Sequence, residues 1–474
     1  MRKVLYAKII IIISVFLLAI TIFKLLQDET IFENTLGKIA ITYRNTSEPG
    51  ENIKTTVIIK TDNPYTTLDE ANFINWDVKF FKYMSENTYG KDNTWPGIGT
   101  YAFSPLFPFI WRLSHLPAQY MSIFNYLLFA ISIIILSSLF LSPEDFGKVD
   151  QICLFALALT LPSVFSYYIP YCESMFLFTM SLALWGLFKD KFWLFFVGLI
   201  AFALSRPSFL IVGMAIICTD IYFLILNRNF KVFIKELGIK IFPIAIGAFI
   251  TFLIQYLNSG SFFKMFEVHS LFWDHNFQIP KTITDWSTEG YGMNIFSICC
   301  VVIPSGILLF TFLEKHLRGG QRQSISLFSV ESRREYLYIL SIVFFFGNFL
   351  FVLLTQGGNL NGIHRYILVS PFFYIFFFIF IKNLKTLNFN YLPVILISLV
   401  YFGSLLLVHG PYQHKITFLD SGYFLLVFTM FYYVFFNKMY KPVKVTLLPL
   451  LIIGNTFWLT YLFNHFLNNS FIIP

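Results

Sequence analysis

IIIIISVFLLAITIF, residues 9–23, carries no charged side chain and follows Met1-Arg2-Lys3 closely enough to belong to one apolar helix from the start of the chain. A helix rises 1.5 Å per residue, so about 20 apolar residues cross the hydrocarbon core of a bilayer. No small-x-small cleavage site follows Phe23, so the segment is expected to stay as a first membrane helix rather than leave as a signal peptide. Arg2 and Lys3 then hold the N-terminus on the cytoplasmic side. The composition of the remaining chain makes the same demand. Of its 474 residues 57% are hydrophobic and 13% charged, with a mean hydropathy of +0.68. A soluble domain carries nearer a quarter charged residues and has no way to hide this much apolar surface from water.

Outward from that first segment, apolar stretches recur at 119–141, 151–169, 173–188, 192–206, 207–226, 241–257, 294–313, 336–354, 366–381, 391–409, 421–436 and 446–463. With 5–26 they predict thirteen spans in one all-α polytopic bundle covering 1–474. With the N-terminus inside, the loops at 142–150, 189–191, 227–240, 314–336, 382–390 and 437–446 face inward. They hold most of the clustered Lys and Arg, as the positive-inside rule requires, and this accounts for the net charge of +8. The 61 Phe and 26 Tyr are expected to face lipid and neighbouring helices. Nucleic acid is therefore not an expected partner, while membrane lipid is. Cys153, Cys172, Cys218, Cys299 and Cys300 lie in or beside apolar segments without metal-ligand spacing or a disulfide framework.

Two outward segments are large. The first, 27–118, begins with strand-like pieces around Gly, Pro and Asn, which predict a small β-hairpin over 38–62. It continues through Asn75-Trp76-Asp77-Val78-Lys79-Phe80-Phe81-Lys82-Tyr83, expected to be part of an interfacial helix over 70–88. The second, 258–293, is rich in Trp, His and carboxylates. The spans 192–206 and 207–226 meet at Ser205-Arg206-Pro207-Ser208 with almost no loop, which suits a helix pair that turns within the membrane.

Four places combine chemistry with membrane position. Asp77 would sit at the outer surface beside an apolar face, either as a general base on a hydroxyl or as the N-cap of the following helix. Glu173 starts an apolar helix, where the helix dipole favours a carboxylate by up to ~1 kcal/mol; substrate contact is the other reading. Arg206 interrupts an apolar run at a cost of at least ~2.5 kcal/mol, so it either faces a polar cavity or pairs with an acid such as Glu173. Asn361, His364, Arg365 and Tyr366 follow Gly357-Gly358, and Arg365 either holds a phosphate or anchors the interface with Tyr366. A fifth cluster, Glu267, His269, Trp273, Asp274 and His275, lacks the i, i+4 pairing of a zinc helix, so no metal is expected there. There is no Walker A sequence, no G-x-G-x-x-G and no G-x-S-x-G elbow.

In chain order, Trp76-Asp77, Tyr101-Ala102-Phe103-Ser104-Pro105-Leu106-Phe107-Pro108, Pro162-Ser163-Val164-Phe165, Tyr171-Cys172-Glu173-Ser174, Ser205-Arg206-Pro207 and His364-Arg365-Tyr366 resemble the PIG-V family of GPI mannosyltransferase II and its prokaryotic relatives. Asn258-Ser259-Gly260-Ser261-Phe262-Phe263, then His269, Trp273 and Pro280, are similar to that family's second large outer loop. The resemblance spans about residues 70–385. It implies a GT-C fold and an inverting glycosyltransferase, mannosyltransferase-like. The sugar would move from a polyprenyl-phosphate (dolichyl-phosphate-type) donor to a lipid-linked or glycan acceptor on the extracytoplasmic side, with no cofactor and no metal. It implies Asp77 as the base, and Trp76, Glu173, Arg206, His269, Trp273, Arg365 and Tyr366 as substrate-binding residues. The family's Ser-Glu pair falls on Cys172-Glu173. The chain departs from the pattern with Tyr89-Gly90 in place of Gly-Tyr and Phe103-Ser104-Pro105 in place of Phe-Phe-Pro.

Two other classes fit the composition: a lipid or solute transporter lined by the intramembrane Arg, and a non-catalytic subunit of a membrane complex. The lack of repeated halves and the concentration of carboxylates in outer loops weigh against the transporter. The Lys/Asn/Ile/Phe-rich vocabulary points to a bacterial or archaeal cell membrane, the endoplasmic reticulum being the eukaryotic counterpart.

Overall fold

The computed structural model describes residues 2–27, 68–90, 95–141, 148–273, 275–285, 294–295, 297–319, 325–383, 399 and 441–468. In chain order the helices are α1 (Arg2–Leu26), α2 (Glu70–Phe73), α3 (Val78–Asn87), α4 (Leu106–Ser114), α5 (Ala118–Phe140), α6 (Lys148–Thr160), α7 (Glu173–Phe188), α8 (Phe192–Ser205), α9 (Phe209–Asn227), α10 (Phe230–Ser259), α11 (Lys264–Phe272), α12 (Ile303–Gly319), α13 (Arg333–Thr355), α14 (Ile363–Ile367), α15 (Pro371–Asn383) and α16 (Lys441–Leu467). Short 3₁₀ turns at Ile98–Ala102 and Pro162–Tyr167 and a π-turn at Ile298–Val302 link them. Among the described residues the only β pairing is the isolated bridge between Thr284 and Asn359.

Six of these helices are long and apolar enough to cross a membrane, namely α1, α5, α9, α10, α13 and α16, and α7 and α8 are shorter apolar helices. The protein is an all-helical polytopic membrane protein. The stretches 391–409 and 421–436 and the hairpin expected over 38–62 lie outside the described residues, apart from residue 399.

Several boundaries differ from the sequence reading, each for a physical reason. The stretch 151–169 stops being α-helical at Thr160, because Pro162 and Pro170 each remove a backbone donor. The freed groups of this irregular stretch are met from α5: Asn125 donates to the carbonyls of Ile169 (2.6 Å) and Tyr171 (2.8 Å), and Ser122 donates to that of Tyr168. The single interfacial helix expected over 70–88 is two helices, α2 and α3, broken at Trp76, whose φ of +50° is left-handed. The inward loop expected over 227–240 is mostly the first third of α10, and its last residue, Lys240, is buried.

Packing is close where side chains are small. A Cβ on Gly198 would lie 2.8 Å from the backbone nitrogen of Ala183, and one on Gly247 2.6 Å from the carbonyl oxygen of Ile200. Such contacts let α7, α8 and α10 approach backbone to backbone, which substitutes for the hydrophobic drive that lipid does not supply.

Lys240 reaches across the bundle interior to Asp220 on α9 (2.6 Å) and to the hydroxyl of Tyr336 on α13 (3.2 Å), and that hydroxyl donates to the same Asp220 oxygen (2.7 Å). Three helices are thus joined by one buried charge pair. Removing Lys240 strands Asp220, and removing Asp220 leaves Lys240 only Glu236 at 3.8 Å as an acidic partner, so Lys240→Met or Asp220→Leu alone is expected to cost up to about 3–5 kcal/mol, and the double substitution to recover most of it. Thermal unfolding of the three variants in detergent checks this; additive losses in the double variant would refute the pairing.

Candidate functional site

The site is assembled where three backbone irregularities meet. Asp77 lies between α2 and α3, Glu173 begins α7 after the Pro170 turn, and Arg365 lies in α14, a five-residue helix reached through Gly357, Gly358 and Gly362, all at positive φ. At Gly358 (φ +93°) a Cβ would fall 2.2 Å from the carbonyl oxygen of Thr282, so only glycine fits there.

Arg365 binds both carboxylates. Its Nη1 lies 3.2 Å from Asp77 Oδ2, and its Nε and Nη2 lie 3.2 and 2.7 Å from Glu173 Oε1. Arg206, the C-cap of α8, reaches the same Glu173 oxygen at 3.5 Å. Two guanidinium groups and two carboxylates therefore form one neutral cluster. Its aromatic walls are Tyr366 and Phe176, whose ring centroids lie 5.3 and 5.9 Å from the Arg206 guanidinium, and Tyr171, 4.7 Å from that of Arg365. Stacked guanidinium groups are held flat and give up some hydration.

The two carboxylates differ in use. The Glu173 side chain is fully buried and shares one oxygen among three guanidinium nitrogens, whereas the Asp77 side chain keeps 14% exposure and meets Arg365 alone. Asp77 occupies the N-cap position of α3 but makes no side-chain cap. Its carboxylate is turned to Arg365 instead, and its backbone N–H donates to the Tyr171 hydroxyl at 3.3 Å. The left-handed Trp76 re-aims the chain just before it, a conformation costing an L-residue roughly 1–2 kcal/mol. Burial pushes the Asp77 carboxyl above the usual aspartate range, although Arg365 pulls it down.

A second set of residues fixes Arg365, and sequence reasoning missed it. Asn294 Oδ1 accepts from the backbone N–H of His364 (3.1 Å) and from its ring Nδ1 (2.7 Å), while Asn294 Nδ2 donates to Asp285 Oδ2 (2.8 Å). All three side chains are buried. Backbone bonds between Thr284 and both Gly358 (3.0 Å) and Leu360 (2.8 Å) complete the clamp. Nothing in Gly292-Met293-Asn294-Ile295 marks Asn294 beforehand, since the residue it ties down, His364, lies 70 residues downstream. Asn294→Ala removes an acceptor from two buried donors, and the expected loss is about 1–3 kcal/mol for each bond left unmade. A melting midpoint within a degree of wild type would contradict the clamp.

The structure thus brings together Asp77, Glu173, Arg206, Arg365 and Tyr366, with Trp76 beside them in the chain. It does not bring His269 or Trp273 to the four charges. Trp273 packs on Phe80 (5.8 Å) and Phe103 (6.1 Å), and the His269 ring stacks on that of His275 at 5.2 Å. Asp274 lies outside the described residues. Among the described residues no group of three or more His, Cys, Asp or Glu could hold a metal ion. Fold and site together define a polytopic helical membrane protein with a neutral four-charge centre open through one carboxylate. No family model, curated protein or solved structure matches the chain.

Proposed function

We propose that the protein is an inverting membrane glycosyltransferase of GT-C type, which moves a sugar, mannose in the first instance, from a polyprenyl-phosphate donor to a lipid-linked or glycan acceptor on the extracytoplasmic side. The observation that carries this reading is the division of labour between the carboxylates: Glu173 is committed to two arginines, and Asp77 is the one left reachable. An acceptor hydroxyl attacks the anomeric carbon, and the bond from that carbon to the phosphate oxygen breaks. Asp77 takes the hydroxyl proton, and polyprenyl phosphate leaves with the electron pair. Donor counting assigns the phosphate to Arg206. Arg365 spends Nε, Nη1 and Nη2 on carboxylates, whereas Arg206 has one described ion contact, at 3.5 Å.

An apolar cavity of about 340 Å³ between α1 and α16 is compatible with the lipid part of such a donor. Phe16, Ile20, Phe23 and Phe463 line it, with Lys24 among its few polar residues. Through Phe466, which packs on Tyr171 at 6.0 Å, α16 also adjoins the charged centre.

The reading is tested by incubating purified protein with radiolabelled polyprenyl-phosphate sugars and membrane lipid extract. Transfer of one label is expected, and no transfer from any donor would overturn the reading. The raised Asp77 carboxyl adds a pH signature. A base must be deprotonated, so activity should fall on acidification at a pH above the ordinary aspartate range, as the carboxyl takes up its proton. An acid limb at or below that range would remove Asp77 from the role.

A further inference from the structure

The second large outer segment carries apolar surface that the bundle does not cover. Lys231 and Lys235 are exposed in the first turns of α10, and the uncharged apolar run of this candidate span is 241–257. Gly260, at φ +76°, ends the helix, and the chain doubles back rather than moving away. The Phe262 ring stacks on Tyr256 at 4.3 Å, and Phe266 packs on Phe252 at 6.0 Å. Phe252 lies five residues inside the end of the apolar run, about 7.5 Å along the helix axis. The helix α11 therefore lies alongside the last turns of α10, level with the end of its apolar run.

One side of α11 is covered by protein. Met265 and Val268 are buried, and Val268 packs with Met84, Tyr89, Ile98 and Tyr101. The other side presents Phe263 (68% exposed), Phe266 and Leu271, and just beyond the helix lie Phe277 (77%) and Ile279 (81%). Its charges are neutralised locally, with Lys264 bound to Glu267 at 3.1 Å and Ser261 donating to the same carboxylate at 2.8 Å. Exposed aromatics at this density mark an interaction surface. The surface continues the lipid-facing side of a membrane-crossing helix, where Phe242, Phe249 and Leu257 are also exposed.

We propose that α11 and its flanking aromatic residues form a re-entrant segment embedded in the acyl chains of the leaflet reached by the C-terminal end of α10. The occupant of the exposed face is bilayer lipid. Because Trp273 packs on Phe80 and Phe103, this segment is the wall between lipid and the helix that begins at Asp77. The inference stands on burial and ring contacts alone and is independent of the enzymatic reading.

The test uses the full chain in phospholipid nanodiscs, with a nitroxide attached to cysteine introduced by Phe263→Cys, Phe266→Cys or Phe277→Cys. Glu86→Cys, at an exposed position of α3, is the control, and labelled wild type subtracts the native cysteines. The expected result is strong collisional relaxation by dissolved oxygen and weak relaxation by a water-soluble nickel chelate at 263, 266 and 277, with the ratio reversed several-fold at 86. Nickel-dominated relaxation at 263 and 266 would place them in water and overturn the proposal. Protection from both reagents would put protein over this face and overturn it equally. Three separate positions keep the result readable if one variant fails to fold.

Discussion

Asp77→Asn is expected to lower sugar transfer by roughly 10²–10⁴-fold, the range a positioned general base supplies. The carboxamide oxygen still accepts from Arg365 Nη1, so the fold should be kept and the loss should appear in turnover. Transfer of labelled sugar from the donor found active in the panel, at matched amounts of folded protein, measures it. A wild-type rate would end the assignment. Asp77→Glu tests geometry instead, because the longer side chain keeps the charge but moves it relative to Arg365.

An effect on stability as large as that at the Lys240–Asp220 pair is expected at Glu173. Glu173→Gln leaves two guanidinium groups, both already withdrawn from water, facing the single carboxylate of Asp77. Breaking a buried pair from one side costs about 3–5 kcal/mol, because the remaining charge stays desolvated without compensation. Adding Arg206→Gln restores the balance to one carboxylate and one guanidinium, and part of the loss should return. Thermal unfolding in detergent of the single and double variants decides between this and a packing role. A cost below about 1 kcal/mol for Glu173→Gln, or no recovery in the double variant, would show that the charges are not coupled.

Much of this site could be read beforehand as a set of residues, and little of it as an arrangement. Asp77, Glu173, Arg206 and Arg365 each stand out because a charge beside apolar sequence is costly enough to need an explanation. The rival explanations could not be separated locally. An N-cap Asp and a reachable base have the same neighbours in sequence; Asp77 makes no cap because a guanidinium 288 residues away takes its carboxylate. For Arg206, the two readings of an acid partner and a polar site describe the same place, since Glu173 is its partner within the cluster. Lys240 shows the opposite failure. A lysine near the end of a basic run reads as a loop, but the distant Asp220 and Tyr336, with Glu236 one turn back at 3.8 Å, make its burial tolerable. The break at Trp76 had no Gly or Pro to announce it, and His269 and Trp273 went to a neighbouring aromatic cluster.

By itself, the sequence determined that this chain lives in a membrane as a helical protein. Hydrocarbon solvent acts on each segment separately: it demands contiguous apolar residues and internally satisfied backbone, and stretches such as residues 9–23 meet both locally. Only the tertiary structure decided which carboxylate is buried between two arginines and which meets one arginine and keeps some exposure. It also joined Asn294 to the helix of Arg365 and folded α11 back against α10. Those outcomes depend on pairings between residues far apart in the chain, where desolvation is offset only when the partner arrives, and no local pattern encodes which partner that will be.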